Sequence, residues 1–172
     1  FFVAAHSGNY DVCKLIITNV DDKNPARHNG VTPMYLAAQN GHIEICKLFI
    51  ANADKKNPAM HDGVTPLYMA AQGGHYQICK LIIDNVDDKN PATTDGSTPL
   101  LIAAENGHHE IFKLIRESLG KTNQNPIGPR GLTPLHVAAM NGHLKTCKII
   151  LEKVDDKNPV TDDGLTPLYL AA

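Results

Sequence analysis

A short pattern recurs at nearly constant spacing along the whole chain. Thr-Pro occurs at Thr32-Pro33, Thr65-Pro66, Thr98-Pro99, Thr133-Pro134 and Thr166-Pro167, at steps of 33, 33, 35 and 33 residues. Ala-Ala follows each at a fixed offset: Ala37-Ala38, Ala70-Ala71, Ala103-Ala104, Ala138-Ala139 and Ala171-Ala172. Gly-His closes four copies, at Gly41-His42, Gly74-His75, Gly107-His108 and Gly142-His143. A partial copy precedes them, with Ala4-Ala5 and then Ser7-Gly8-Asn9. Two further blocks keep the same phase. One is Ile45-Cys46-Lys47-Leu48, Ile78-Cys79-Lys80-Leu81 and Ile111-Phe112-Lys113-Leu114; the other is Asn-Pro at Asn24, Asn57, Asn90, Asn125 and Asn158. A period of this length means that each unit is one supersecondary element, which buries its apolar face only by stacking on its neighbours. The 172 residues therefore read as one quasi-linear stack, not as a globule around one centre.

The copy Gly131 to His143 shows how one helix is written. Thr133 is a helix N-cap, whose hydroxyl accepts a backbone N–H. Pro134 stands at the first helical position, where its missing N–H costs nothing. Asn141-Gly142 ends the helix. Across 24–56 the order is arm, helix, tight turn, helix, loop. Asn29-Gly30 is a tight-turn signal, and Thr32 to Asn40 is the first helix. Gly41-His42 breaks it, and Ile43 to about Ala51 is the second, with Ile45, Leu48, Phe49 and Ile50 as its apolar residues. Both helices are too short to persist alone in water.

A 33-residue period carrying Gly-x-Thr-Pro-Leu-His-x-Ala-Ala-x-x-Gly-His resembles the ankyrin repeat. The resemblance spans essentially the whole chain. It implies an all-α ankyrin-repeat solenoid of stacked antiparallel helix pairs with short β-hairpin-like arms. On this reading 1–172 is a single array, with full repeats 24–56, 57–89, 90–124 and 125–157 between partial repeats 1–23 and 158–172. Phe1 to Ala5 and Ala171-Ala172 fall inside helices of such a pattern, so the chain is expected to be a segment of a longer array. Repeat 90–124 departs most: it has Leu101 where others have Tyr or His, Phe112 in place of Cys, and two extra residues at the end of the second helix or in the loop behind it. Loop insertions are cheap.

Little in the residues suggests chemistry. No Gly-x-Ser-x-Gly nucleophile motif occurs, nor a phosphate-cradling glycine loop, so neither catalysis nor a cofactor is expected. His42 and Cys46, His75 and Cys79, and His143 and Cys147 are each four apart, a spacing that can present two metal ligands on one helix face. No recurring acid or thiol completes the set, and in the family this His belongs to the inter-helix turn and bonds locally, so no metal is expected. Cys13, Cys46, Cys79 and Cys147 share one repeat position. Stacked helices lie about 8–10 Å apart, too far for a disulfide. The four read as small buried apolar residues, which places the chain in a reducing compartment, cytoplasm or nucleus. The formal net charge of −2 and pI near 6.5 argue against a general polyanion binder. The lysine column Lys14, Lys47, Lys80, Lys113 and Lys148 has no interleaved aromatics and reads as a solvated face, so no nucleic acid is expected. No apolar run reaches membrane-spanning length.

What remains is protein recognition by a chain expected to be monomeric. Partners of the family dock on the concave side, formed by arm tips and first helices, and there the copies differ. The expected contact residues are His28, Asn29, Val31 and Gln39; His61, Asp62, Val64, Tyr68 and Gln72; Thr94, Asp95, Ser97 and Glu105; and Arg130, Leu132 and Met140. His136 fits the family's Thr-Pro-Leu-His, which implies that it back-bonds the cap like a capping box. Tyr35, Tyr68 and Tyr169 replace it elsewhere and either pack against neighbours or offer an aromatic edge. The alternative is a regulatory or targeting segment of a larger enzyme or channel. The Asn-Pro asparagines also resemble arm asparagines that an oxygen-dependent hydroxylase modifies in some ankyrin proteins, although proline follows each one here.

Overall fold

The computed structural model describes residues 1–120 and 125–172. Among these the chain is all-helical, with no β-strand. It forms two compact units, Phe1–Asp88 and Lys89–Ala172. The first holds α1 (Phe2–His6), α2 (Tyr10–Asn19), α3 (Pro33–Gln39), α4 (Ile43–Asn52), α5 (Pro66–Gln72) and α6 (Tyr76–Ile83). The second holds α7 (Pro99–Glu105), α8 (His109–Ser118), α9 (Pro134–Met140), α10 (Leu144–Leu151) and α11 (Pro167–Leu170), with one 3₁₀ turn at Pro129–Gly131.

The first helices that follow Thr-Pro start where it predicts, and in α3, α5 and α7 two side chains share the orphan donors. Thr32, Thr65, Thr98 and Thr166 accept the third-position N–H, from Tyr35, Tyr68, Leu101 and Tyr169, at 3.1, 3.2, 3.2 and 3.2 Å. Proline fills the first position and has no N–H to satisfy. The second-position N–H groups of Met34, Leu67 and Leu100 donate to Oδ1 of Asn24, Asn57 and Asn90, at 3.1, 2.9 and 2.9 Å. Asn24, Asn57 and Asn90 are thus second caps, each reaching forward ten residues. Lysine of the same loop serves the helix behind it: Lys23 Nζ donates to the Val20 carbonyl, and Lys56 Nζ to those of Ile50 and Ala53. Cations suit helix C-termini, where carbonyls lack partners.

The core of each unit follows the period. In the first, α1 packs on α3 and α3 on α5 through Ala5, Ala37, Ala38, Ala70 and Ala71, all fully buried. Alanine lets these helices approach closely. Behind them lie Ile45, Phe49, Ile78 and Ile82. The second unit repeats the scheme with Ala103, Ala104 and Ala138 between its first helices, and Ile111, Phe112 and Ile115 behind.

The inter-helix turn differs from the local bonding expected of its histidine. His42 Nε2 lies 2.9 Å from the His6 carbonyl, and His75 Nε2 lies 3.1 Å from that of Gln39. In the second unit His143 Nε2 lies 2.8 Å from the Glu105 carbonyl. A carbonyl only accepts, so each Nε2 carries the proton. The ring therefore ties one helix pair to the pair before it. It rests on that pair's turn glycine: a Cβ on Gly41 would stand 2.8 Å from the His75 ring, and one on Gly107 2.6 Å from that of His143.

Two polar residues interrupt apolar columns in the second unit. Arg116 stands where other copies have Ile17, Ile50, Ile83 and Leu151, yet it is only 7% exposed. Its Nη1 donates to the Ile149 carbonyl at 3.0 Å, in the last turn of α10, and its guanidinium lies 5.8 Å from the Phe112 ring centre. Burial pushes its pKa down, against the opposing pull of Glu117 and Glu152. Thr146 occupies the column of Ile45, Ile78 and Ile111, is fully buried, and leaves Oγ1 without a hydrogen-bond partner. An unmet buried hydroxyl costs about 1–3 kcal/mol. Thr146→Val keeps the shape and removes that cost. It is expected to raise stability by about 1 kcal/mol, read as a higher urea midpoint; an unchanged or lowered midpoint refutes the assignment.

The second helix of 90–124 is as long as that of 24–56 and two residues longer than those of 57–89 and 125–157. α8 ends at Ser118, the repeat position at which α4 ends at Asn52. Of the stretch expected to carry the insertion, residues 121–124 lie outside the described ones.

Candidate functional site

The arm tips are tight turns closed by backbone bonds. In the first unit Arg27 N–H donates to the Val31 carbonyl and Met60 N–H to that of Val64, both at 2.8 Å. Asn29 and Asp62 fix the turns further, accepting from Val31 and Val64 N–H at 3.2 and 3.1 Å through Oδ1. Neighbouring tips touch: His61 N–H donates to the Asn29 carbonyl at 3.3 Å, and the His28 and His61 rings meet edge-on, centres 6.3 Å apart. Arg27 turns its guanidinium over Phe2, 4.4 Å from the ring centre.

In the second unit Thr93 N–H donates to the Ser97 carbonyl and Gly128 N–H to that of Leu132, both at 2.8 Å, and Thr161 N–H to that of Leu165 at 2.9 Å. Asp95 accepts from the Thr93 hydroxyl and from Ser97 N–H, and these two bonds hold its carboxyl below the usual range. Arg130 has φ +59°, the one positive φ outside glycine among the described residues. Its carbonyl accepts from Asp162 N–H at 3.1 Å.

The expected contact residues separate by exposure. In the first unit His28, Asn29, Gln39, His61, Asp62 and Gln72 are exposed, Val64 and Tyr68 are half-buried, and Val31 is 9% exposed. In the second unit Thr94, Asp95, Glu105, Arg130 and Met140 are exposed, Leu132 is half-buried, and Ser97 is 9% exposed. Tyr35, outside the expected contact residues, lies at the same helical position as Tyr68. It is half-buried, and burial, then Asp62 and Tyr68 close by, push its phenol pKa up.

His136 forms the capping box. The Thr133 N–H donates to its Nδ1 at 3.1 Å, and Nε2 donates to the Leu165 carbonyl at 3.2 Å. Both ring nitrogens are engaged and the side chain is fully buried, so it is framework. Cys13, Cys46 and Cys79 are buried as expected, but Cys147 is half-buried. All four are free thiols, and burial pushes Cys46 and Cys79 up to about 12. Lys47 pairs with Glu44 at 2.7 Å and Lys80 with Asp84 at 3.0 Å, all well exposed. Among the described residues no cluster of three or more His, Cys, Asp or Glu could hold a metal ion, and no helix is long and apolar enough to cross a membrane.

Short helix pairs joined by capped turns and stacked at a fixed period define a helical repeat protein. The family described as ankyrin repeats (3 copies) matches residues 1–92, 51–125, 84–159 and 113–172. The chain belongs to the ankyrin repeat family. Ankyrin repeats generally mediate protein–protein interaction and are typically non-catalytic. No curated protein matches the chain.

Proposed function

We propose that this chain binds a partner protein through its arm tips and the outward ends of its first helices, the concave side in the family's architecture. The observation that carries this reading is the contrast in each unit between an invariant capped frame and exposed tip residues that differ from copy to copy. The tips are pre-set by their own hydrogen bonds, which lowers the ordering cost of binding. The repeat boundaries 24–56, 57–89, 90–124 and 125–157 assign one tip to each period. We read the chain as a monomeric, non-catalytic module of the cytoplasm or nucleus. Four unpaired cysteines support that location, and the acid-paired lysines support a protein partner over nucleic acid. The alternative, a regulatory or targeting segment of a larger enzyme or channel, is compatible with the same surface.

Affinity capture tests the reading. A variant combining His61→Ala, Tyr68→Ala, Arg130→Ala and Met140→Ala is expected to lose the proteins that the native chain retains, with the helical circular dichroism unchanged. Equal capture by both would place the docking face elsewhere.

A further inference from the structure

We propose that the gap between tips 93–97 and 128–132 in the second unit takes an extended segment of the partner protein, bound through its main chain. This rests on the reading that the tip side is the docking face. Two other pairs of consecutive tips, one in each unit, close on each other. In the first unit the Asn29 carbonyl accepts from His61 N–H at 3.3 Å, and in the second the Arg130 carbonyl accepts from Asp162 N–H at 3.1 Å. These tips lie so near that a Cβ on Gly30 would stand 2.7 Å from the Met60 Cα, and one on Gly131 2.8 Å from the Asp162 nitrogen.

Pro129 interrupts that row. It occupies the place of His61 and Asp162 and has no N–H to give. The carbonyl it would meet is that of Asp95, which has no partner among the described residues. Open space lies there as well: a Cβ on Gly96 would meet nothing within 4 Å, although Gly96 and Gly30 share one turn position and have φ +88° and +87°. Tip 128–132 is also shaped differently. It is a 3₁₀ turn with Arg130 at φ +59°, and it rests on α7 through Gly128, where a Cβ would stand 2.3 Å from Leu101 Cδ2. What this tip withholds from its neighbour is one backbone N–H. An extended chain carries such donors along its edge, and pairing of main chains is how it adds to an open row. Tip 93–97 is already set to receive it, since Thr93 N–H bonds the Ser97 carbonyl and Asp95 accepts from the Thr93 hydroxyl and Ser97 N–H.

The test is selection of a random 12-residue peptide library, displayed on phage, against the 172-residue chain. Enriched peptides are remade with a methyl group on one backbone nitrogen at a time, which removes a single N–H and leaves the protein untouched. One such position is expected to weaken binding about tenfold, as the loss of one hydrogen bond does. A variant combining Pro129→His and Arg130→Asp copies the residues of 61–62 into this tip and restores the donor. It is expected to weaken binding by the same factor, with the helical circular dichroism unchanged. Arg130→Asn alone leaves the proline in place and suits the left-handed backbone; it is expected to weaken binding only about twofold. A loss in Arg130→Asn as large as in the double variant would make the arginine side chain the contact and overturn the gap. Peptides that tolerate every methylated nitrogen, or that bind the double variant as tightly as the native chain, overturn it too. If those peptides lose binding to a His61→Ala, Tyr68→Ala, Met140→Ala variant, the gap alone falls. If they are indifferent to that variant as well, the docking face falls with it.

Discussion

Gly30→Ala is expected to lower stability by about 3 kcal/mol, combining the left-handed backbone penalty with overpacking. Gly30 has φ +87°, so any side chain there is strained. A Cβ would also stand 2.7 Å from the Met60 Cα and 3.1 Å from the His61 nitrogen. Backbone cannot swing aside as a side chain can, so the next tip must shift, and the His61 N–H bond to the Asn29 carbonyl goes with it. Gly96→Ala is the matched control. It has the same turn position and φ +88°, but a Cβ there meets nothing within 4 Å. Its cost is expected to be the backbone term alone, about 1–2 kcal/mol. Urea unfolding of the two variants separates the contributions. Equal losses would mean that the neighbouring tip yields freely, and that tip-to-tip contact in the first unit is not a rigid feature.

Alkaline pH is expected to unfold the protein steeply, and two buried thiols are the reason. Burial disfavours the thiolate of Cys46 and Cys79, raising each from about 9 to about 12. In the unfolded chain the same thiols ionise near their ordinary value. Their contribution to stability is therefore complete below about pH 9 and is lost as pH rises from there towards 12. Each group loses about 1.4 kcal/mol per pH unit in that window, so the pair loses about 2.7. Urea midpoints measured from pH 8 to pH 11 are expected to fall faster for the native chain than for a Cys46→Ala, Cys79→Ala variant. Lysines and tyrosines titrate equally in both, so the difference isolates the thiols. Parallel slopes would show that the two sites admit water.

The frame was legible because each of its parts acts locally. Thr-Pro writes a cap and a first turn within three residues. Gly-His writes a break, and His136 Nδ1 reaches back to its own cap. What the period could not disclose is what crosses it. The imidazoles of His42, His75 and His143 look like local turn residues in one copy, yet their partners lie a full repeat upstream. The Asn-Pro asparagines read as arm residues, yet Asn24, Asn57 and Asn90 cap a helix that starts nine residues further on. Arg116 and Thr146 were visible in principle, since each breaks a column of Ile and Leu once the copies are aligned, but only burial shows that the break matters. The site was legible as a region and not as a residue list. Val31 and Ser97 are buried, whereas Val64 and Leu132, at the same tip position and with the same closing bond, are half-buried, a difference that the repeat pattern does not carry.

The histidine and glycine of the inter-helix turn have one more consequence. A repeat such as the one spanning α3 and α4 carries both a plug for the unit behind and a socket for the unit ahead. Deleting or duplicating a whole period joins a plug to a socket again, so the junction heals. Deleting Gly41, or exchanging it for a larger residue, leaves a socket that fits nothing. The natural unit of change in such a chain is therefore a whole period, and lengthening by copying is easier for it than alteration by point substitution at these turns.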